Sequence, residues 1–284
     1  MKIVDLHSHT TASDGSLTPT QLVDYAKEQG LAALAITDHD TTGGLDEALA
    51  RAKEIGLEVI PGIEIATVVE GCDVHIVGLF IDHHHPQMTA HVAKMAQTRV
   101  DRNFAMIDKL KAAGINIDRS DLDRFEGSSI ARGHIAAILI ERGYATDLKD
   151  AMAKYMLTGT VGYVKRENPP PGECVEVIHQ GGGLAFIAHI NQIDRQDWAH
   201  GEAVVRQVMA AGADGIETLY SEYDQTWQER AEALVQEFGA LRSGGSDYHG
   251  AIKKNLELAT GYGALAVPYD YVEAMKARLA EKMK

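Results

Sequence analysis

The chain has 284 residues and a formal net charge of −14, with 45% apolar and 24% charged residues. This composition is ordinary for a globular protein with a packed core, and the acidic balance argues against broad adhesion to nucleic acid or anionic membranes. A phosphorylated substrate stays compatible with it, because bound cations or a few arginines can reverse the charge inside one pocket.

The cysteines and the N-terminal residues bear on the compartment. Cys72 and Cys174 form no Cys-x-x-Cys pattern, which fits a reducing compartment. The few apolar residues before His7 are too short for a secretory signal, and no apolar run approaches the roughly 20 residues that span a bilayer. We therefore expect a cytoplasmic protein with no membrane partner and no stable binding to duplex DNA.

Strand-like and helix-like segments alternate over the first ninety residues. Thr18, Pro19 and Gln21 form a helix start with a capping box, and Gly30 and Gly56 end the first and second helices. The predicted strands are 3–9, 31–36, 59–66 and 74–81, and the second helix is 46–55. Such alternation predicts a mostly parallel sheet with helices outside it.

The pattern changes between about residues 86 and 168, where we predict helices at 88–113, 135–141 and 148–157 and no strand. After the proline-rich segment 168–172 the alternation resumes. The predicted helices there are 175–180, 204–211 and 225–238, and the predicted strands are 184–189, 215–220 and 240–243. The domain prediction is a first barrel segment at 1–85, a helical insertion subdomain at 86–168 and a second barrel segment at 169–284.

Seven predicted core strands indicate an α/β fold, a (β/α) barrel with one strand fewer than the usual eight. In such barrels the chemistry collects at the C-terminal ends of the strands. This expectation can be checked against the positions of the ionisable residues.

Histidines and carboxylates recur at the predicted strand ends. His7 and His9 are two residues apart on the first strand, so their side chains point the same way and can bind one cation. The other residues of this kind are Asp14, His39, Glu64, His75, His189, Asp247 and His249. A single histidine on an apolar strand is more often a hydrogen-bonded structural residue than a metal ligand.

The number of these groups favours metal binding. A protein core does not gather six histidines and three carboxylates without cations that neutralise and coordinate them. Nine side chains are too many for one catalytic ion, so two or three ions are implied. Imidazole and carboxylate ligands without thiolate suit Mn²⁺, Fe²⁺ or Zn²⁺.

The motifs around these residues resemble those of the PHP (polymerase and histidinol phosphatase) family of metal-dependent phosphoesterases. The matching segments are Asp5-Leu6-His7-Ser8-His9, Ser13-Asp14-Gly15, Ile36-Thr37-Asp38-His39, Gly62-Ile63-Glu64, Val74-His75-Ile76-Val77-Gly78, Ala188-His189 and Gly245-Ser246-Asp247-Tyr248-His249. The resemblance implies a distorted, amidohydrolase-like seven-stranded barrel with a helical insertion.

The resemblance also implies a ligand set for three metals, with Mn²⁺ the best-fitting ion. The first metal would be held by His7, His9, Glu64 and Asp247. Glu64 would bridge to a second metal, which His75 and His189 complete. The third metal would be held by Asp14, His39 and His249.

Within the family, the chain is most similar to the 3′,5′-nucleotide bisphosphate phosphatases, some of which are also 5′→3′ exoribonucleases on short RNA. The helical insertion, Ala131-Arg132-Gly133-His134, and Lys154-Tyr155 followed by Gly162-Tyr163-Val164 are typical of that branch. One segment departs from it, because Ile190-Asn191-Gln192-Ile193 stands where the branch usually has Pro-Gly-Arg-Tyr. A displaced loop and a changed substrate both stay open at this point.

The expected reaction is in-line attack on phosphorus by a hydroxide that bridges two metals. Arg132 is the predicted phosphate clamp, since its planar fork matches phosphate geometry. His134 is predicted to bind the phosphate or to donate a proton to the departing ribose oxygen. Lys165 and Arg166 are weaker candidates for contacting a second phosphate, and Arg195 is a further candidate for a substrate contact. The structural alternatives are a loop-capping arginine, helix packing of His134 and a solvated loop around Lys165.

Three other functions are compatible with parts of the pattern. A histidinol-phosphate or other small-molecule phosphomonoesterase would share every metal ligand but need no site for a second phosphate. Enzymes that hydrolyse amides or deaminate substrates on a related barrel often use a carboxylated lysine as the bridging metal ligand. Glu64 takes the bridging position here, which disfavours that chemistry. A non-catalytic metal-binding module is disfavoured because such modules often lose ligands, and this chain retains all nine.

Overall fold

The computed structural model describes residues 2–125 and 132–282. Contacts divide the chain into two compact units, which we call the barrel unit (Met1–Val92 with Asn168–Lys284) and the helical unit (Ala93–Glu167). The domain boundaries at 85/86 and 168/169 stay a prediction.

Eight strands form one sheet in the barrel unit, in the order β7-β6-β5-β4-β3-β2-β1-β8. They are β1 Ile3–Asp5, β2 Ala33–Ile36, β3 Glu58–Val69, β4 Cys72–Leu79, β5 Leu184–Ile187, β6 Gly215–Tyr220, β7 Leu241–Gly245 and β8 Val267–Pro268. Beyond β1, the Leu6 amide donates to the Gly244 carbonyl at 3.1 Å and Ser8 forms a parallel bridge with Tyr248, which brings the two edges of the sheet together.

The α/β barrel prediction is confirmed, with seven main strands and the two-residue β8 in addition. Most strand pairs are parallel, but β4 runs antiparallel to both β3 and β5. The reversal is made by the tight turn at Glu70 and Gly71, whose φ angles of 50° and 88° lie in the left-handed region that glycine favours. The sequence therefore predicted the seven strands but not the reversed direction of β4.

The α-helices of the described residues are α1 Pro19–Glu28, α2 Leu45–Ile55, α3 Pro86–Ala112, α4 Arg132–Glu141, α5 Leu148–Ala151, α6 Pro171–Gln180, α7 Trp198–Ala210, α8 Gln225–Phe238 and α9 Asp270–Lys282. The predicted capping box is present in α1: Thr18 Oγ1 accepts from the Gln21 amide at 3.2 Å and Gln21 Oε1 accepts from the Thr18 amide at 2.9 Å. Helix α2 ends at Gly56 with φ 66°, as its sequence predicts.

Several predicted elements need correction. The strand predicted at 3–9 ends at Asp5, and the helix predicted at 148–157 consists of α5 and a π-helical turn at Met152–Met156. Strand β8 and helix α9 were not predicted. Helix α9 lacks a strong apolar pattern because it buries only Val272 and Met275.

Alternate residues of the strands face two different apolar layers. In β2, Ala33 and Ala35 belong to the inner cluster around Phe186, whereas Leu34 and Ile36 belong to the outer cluster against the helices. This two-residue period is what a closed sheet covered by helices requires. The helical unit has its own apolar cluster, built on α3, α4 and their connections.

Among residues 2–125 and 132–282, no helix combines the length and apolar character that crossing a membrane requires.

We expect Gly215→Ala to destabilise the protein, because an added Cβ would meet the Leu241 carbonyl and lie 2.6 Å from the Phe186 ring. Overpacking a closed sheet in this way costs about 2 kcal/mol or more. Gly172→Ala is the matched control, since a Cβ there meets nothing within 4 Å. Urea denaturation should show a clear loss for Gly215→Ala and a change of at most about 0.5 kcal/mol for Gly172→Ala. Equal stability of the two variants would contradict this packing.

Candidate metal centre

Nine side chains from six segments meet at one edge of the barrel unit. Their potential ligand atoms form overlapping groups in which all atoms lie within 4.8 Å of one another. The groups are His9, Asp14, His39 and His249; His7, His9 and Asp247; His7, Glu64 and His189; and His39, Glu64 and His75. The structure thus brings together all nine residues selected from the sequence.

Glu64 lies at the centre of this cluster and is fully buried. Its Oε1 lies 2.8 Å from His75 Nδ1 and 3.0 Å from His189 Nε2. Its Oε2 lies near the three imidazole nitrogens His7 Nε2 (3.3 Å), His9 Nε2 (3.3 Å) and His39 Nδ1 (2.9 Å). The two oxygens of one carboxylate therefore serve two different sets of histidines, which is the arrangement that a bridging ligand needs.

Backbone pairing fixes the position of Glu64. Strand β3 bridges to His39 just after β2, where the Asp40 amide donates to the Glu64 carbonyl at 2.8 Å. The Glu64 amide in turn donates to the Asp38 carbonyl at 3.2 Å. The carboxylate is thus held by a sheet rather than by a loop.

Asp247 and Asp14 complete the two ends of the cluster. Asp247 Oδ1 lies 3.2 Å from His9 Nε2 and 3.4 Å from His249 Nδ1. Asp14 Oδ1 lies 3.3 Å from His249 Nε2, and its Oδ2 lies 3.9 Å from His39 Nε2. The Asp14 side chain is 57% exposed, whereas those of Glu64 and Asp247 are buried. The cluster is therefore most open to solvent at Asp14.

Polar groups outside the nine orient several of them. Glu217 Oε1 lies 3.2 Å from His7 Nδ1, and Glu217 Oε2 accepts from the His189 amide at 2.6 Å. A proton on His7 Nδ1 leaves the Nε2 lone pair directed at Glu64 and Asp247, as in other histidines that bind metals. The sequence gives no signal for the contacts of Glu217 with these two histidines.

Asp38 holds the loop that carries Asp14. Its carboxylate accepts from the Thr10 amide and hydroxyl, both at 2.7 Å, and from the Ser13 hydroxyl at 2.6 Å. Asp38 thus supports the loop of Asp14 from outside the cluster.

Several buried atoms of the cluster lack a hydrogen-bond partner. Among the described residues these include His7 Nε2, both ring nitrogens of His9, and Glu64 Oε2. Leaving a buried polar atom unpaired costs about 1–3 kcal/mol, so four of them in one place need a compensating partner. Divalent cations fit this requirement, because every donor is an imidazole nitrogen or a carboxylate oxygen.

The charges of the cluster's histidines and carboxylates shift one another's pKa values. Burial alone lowers the pKa of His7, but the negative charges of Glu64, Asp247 and Glu217 raise it well above the usual value. Burial also opposes the ionised form of Glu64, yet the charges of His39, His7 and His75 hold the pKa of its carboxyl well below the usual range. Without cations, protons on His7 and His9 balance part of the carboxylate charge.

The predicted substrate residues of the helical unit lie among other arginines. Arg132 begins α4; burial lowers the pKa of its guanidinium, and the charge of Arg166 lowers it further. Burial likewise lowers the pKa of Arg102, and the charges of Arg132, Arg166 and Arg99 add to this effect. We call Arg99, Arg102, Arg132 and Arg166 the arginine cluster. Ala131 of the predicted motif lies outside the described residues.

The remaining predicted substrate residues show less specific surroundings. The His134 ring stacks on Phe125 with centroids 4.4 Å apart, which agrees with a packing role on the helix. Lys165 is exposed. In the barrel unit, the Arg195 side chain is 65% exposed and its guanidinium lies 3.5 Å from Glu222. The roles of these residues stay predictions.

The segment that departs from the expected Pro-Gly-Arg-Tyr forms a short 3₁₀ helix at Ile190–Gln192. The Ile190 amide donates to the Tyr223 hydroxyl and Gln192 Nε2 donates to the Tyr220 hydroxyl, both at 2.8 Å. Tyr220 in turn donates to Asp247 Oδ2 at 3.1 Å. The segment therefore supports a residue of the cluster.

The sequence profile of the PHP domain matches residues 5–158, which is more than half of the chain. The chain belongs to the PHP family. This PHP protein is 37% identical over 263 residues to a 5′-3′ exoribonuclease of Haemophilus influenzae, and the match covers 90% of this chain and 95% of that protein. It is also 34% identical over 257 residues to a 3′,5′-nucleoside bisphosphate phosphatase of Chromobacterium violaceum, with 88% of each chain covered.

A solved structure supports the same family relationship. A Bifidobacterium adolescentis protein assigned as a metal-dependent phosphoesterase superposes with a TM-score of 0.80 at 30% sequence identity. The superposition covers 98% of this PHP chain and 96% of that chain. The fold of the PHP protein therefore extends over the whole length of its relative.

We expect Glu64→Gln to lose more bound metal than any other single substitution in the cluster, because Glu64 contacts both sets of histidines. The near-isosteric amide keeps the shape but removes the charge. Metal content measured by atomic emission should fall by more than half in Glu64→Gln and by roughly one equivalent in Asp14→Asn. Retention of all metal by Glu64→Gln would exclude a bridging role.

The metal-free protein should lose stability as the pH rises. Burial lowers the pKa of His9, but Asp247 and Glu64 raise it to about 9 overall. A histidine with a raised folded-state pKa contributes stability below its unfolded value of about 6.5, and the contribution disappears as the pH rises through about 9.

Urea denaturation of EDTA-treated protein should therefore show a decrease of about 2 kcal/mol in the free energy of unfolding between pH 6.5 and 9. His9→Gln should weaken this dependence and leave the part that comes from His7. Saturating Mn²⁺ should suppress it, because cations replace the protons. A wild-type free energy independent of pH over this range would contradict the coupling.

Proposed function

We propose that this PHP protein is a metal-dependent phosphoesterase that removes the 3′-phosphate of 3′,5′-bisphosphonucleotides and degrades short 5′-phosphorylated RNA in the 5′→3′ direction. The observation that carries the proposal is the buried Glu64 carboxylate, shared between two sets of histidines and surrounded by unpaired ring nitrogens. Buried ionic groups contribute little to stability compared with apolar packing, which favours a functional role for this cluster.

Two or three divalent cations, Mn²⁺ before Fe²⁺ or Zn²⁺, are the proposed cofactors. The proposed ligands are His7, His9, Asp14, His39, Glu64, His75, His189, Asp247 and His249. When bound, such cations supply a water acidified to near-neutral pKa and neutralise charge on the phosphoryl oxygens. The protein contributes fixed ligand positions and an outer layer of Glu217, Asp38 and Tyr220 that holds them in place.

The arginine cluster supports a substrate with more than one phosphate. The charges of Arg99, Arg132 and Arg166 all lower the pKa of Arg102, and such a group of arginines stands out in a chain with a net charge of −14. Guanidinium groups bind phosphate in a bidentate manner, and an anion between several of them removes their mutual repulsion. A 3′,5′-bisphosphonucleotide or a 5′-phosphorylated RNA end offers such phosphates, and the relatives of this chain include a 3′,5′-nucleoside bisphosphate phosphatase and a 5′-3′ exoribonuclease.

Individual substrate contacts follow from this proposal. Arg132 is the proposed phosphate clamp because it starts a helix and belongs to the arginine cluster. His134 is proposed to contact the phosphate or the leaving oxygen from the same turn of α4, while Lys165 and Arg195 are proposed as outer contacts. The proposed location is the cytoplasm.

A screen of the Mn²⁺-loaded protein tests the function directly. We expect kcat/KM for adenosine 3′,5′-bisphosphate to exceed that for adenosine 5′-monophosphate by at least about tenfold, because one charged phosphate contact is worth that much. Histidinol phosphate and 5′-phosphorylated oligoribonucleotides belong in the same screen. Equal rates on monophosphates and bisphosphates would favour a small-molecule phosphomonoesterase instead.

Arg132→Ala tests the arginine cluster. We expect KM for the bisphosphate to rise by about tenfold while the metal content stays unchanged, because Arg132 is not one of the nine proposed metal ligands. Arg242→Ala is a suitable control, since Arg242 forms a surface ion pair with Glu232. Loss of metal from Arg132→Ala, or an unchanged KM, would contradict the assignment.

A further inference from the structure

The two oxygens of Asp247 face different groups. Oδ1 is directed toward His9 Nε2 and His249 Nδ1, at 3.2 and 3.4 Å. Oδ2 accepts from the Tyr220 hydroxyl at 3.1 Å and from the Lys253 ammonium. The Asp247 carboxylate thus lies between the Lys253 ammonium and the histidines of the cluster.

Lys253 is exceptional among the cationic side chains. Within residues 2–125 and 132–282, it is the one lysine or arginine that forms an ion pair with any of the nine cluster residues. An ammonium group has three donors, and in this part of the chain Asp247 accounts for the one contact that Lys253 makes through its side chain. The Lys253 side chain is 29% exposed, so it is not sealed from solvent.

The backbone that carries Lys253 is anchored. The segment Gly250–Ile252 is a short 3₁₀ helix directly after His249. Ser16 ties this segment down, since its amide donates to the His249 carbonyl at 3.1 Å and its hydroxyl oxygen accepts from the Ala251 amide at 2.8 Å. The backbone next to Lys253 is therefore held in one position relative to the cluster.

We propose that Lys253 binds the phosphate group that undergoes hydrolysis. A phosphate held at the nine-residue cluster comes within reach of an ammonium that already contacts Asp247. Bound cations take up part of the charge of Asp247, which weakens the Lys253–Asp247 attraction and leaves the ammonium to donate to a phosphoryl oxygen. This inference rests on the proposed phosphoesterase function and adds a substrate contact from the barrel unit to those proposed in the helical unit.

The competing explanation is that Lys253 merely positions Asp247. Tyr220→Phe separates the two, because it removes the other donor to the same oxygen and keeps the buried ring. Lys254→Met provides a second control, since Lys254 is the exposed neighbour and its loss changes the net charge by the same amount.

The experiment measures binding of inorganic phosphate to Mn²⁺-loaded wild type, Lys253→Met, Lys254→Met and Tyr220→Phe by calorimetry, with metal content determined on the same samples. We expect the phosphate dissociation constant to rise about tenfold in Lys253→Met at unchanged metal content, and KM for adenosine 3′,5′-bisphosphate to rise in parallel. In Lys254→Met the dissociation constant should stay within about twofold of wild type. The metal content of Tyr220→Phe shows what the loss of a hydrogen-bond donor to Asp247 does by itself.

Two results would overturn the inference. One is an unchanged phosphate dissociation constant in Lys253→Met; the other is a loss of metal in Lys253→Met that matches a loss in Tyr220→Phe, which would assign to Lys253 a positioning role alone. Failure of the proposed function has a different signature, because then the metal-loaded wild type would hydrolyse none of the phosphate esters screened.

Discussion

The structure depends on one costly arrangement, the burial of the Glu64 carboxylate among five imidazole rings. A charged group without solvent is tolerated only where opposite charges and hydrogen bonds replace the lost hydration. Each oxygen of Glu64 meets its own set of histidines, and these come from strands far apart in the sequence. The barrel closes around this carboxylate, so the same residues that define the site also link distant parts of the sheet.

The barrel topology makes this convergence possible. The C-terminal ends of β1, β2, β5 and β7 lie at one edge of the sheet and lead directly into His7, His39, His189 and Asp247. At three positions after these strands the backbone adopts positive φ without glycine, namely Asp40 (50°), His189 (27°) and Asp247 (57°). Such backbone conformations cost energy and persist only where the surrounding structure holds them. Their presence here agrees with a functional site in which the placement of the ligand residues outweighs the backbone strain.

Much of this was predictable because the signals are local. The His7-x-His9 spacing, the capping box at Thr18 and the strand at 215–220 are read from neighbouring residues, and each of them is present in the structure. The contacts of Glu217 with His7 and of Lys253 with Asp247 were not predictable, since they depend on which side chains meet across the closed sheet. The direction of β4 escaped prediction for a related reason: apolar alternation reports which face is buried and does not distinguish the two ways a strand can run.

The reversed strand β4 has a consequence for how the site assembles. Because β3 and β4 form a tight hairpin, Glu64 and His75 pair across only 11 residues of chain, whereas Glu64 and His189 are 125 residues apart. Closing the shorter loop loses less chain entropy, and hairpins form within microseconds. We therefore expect a nascent half-site of one carboxylate and one imidazole to exist before the barrel is complete, and the later strands to dock their histidines onto it.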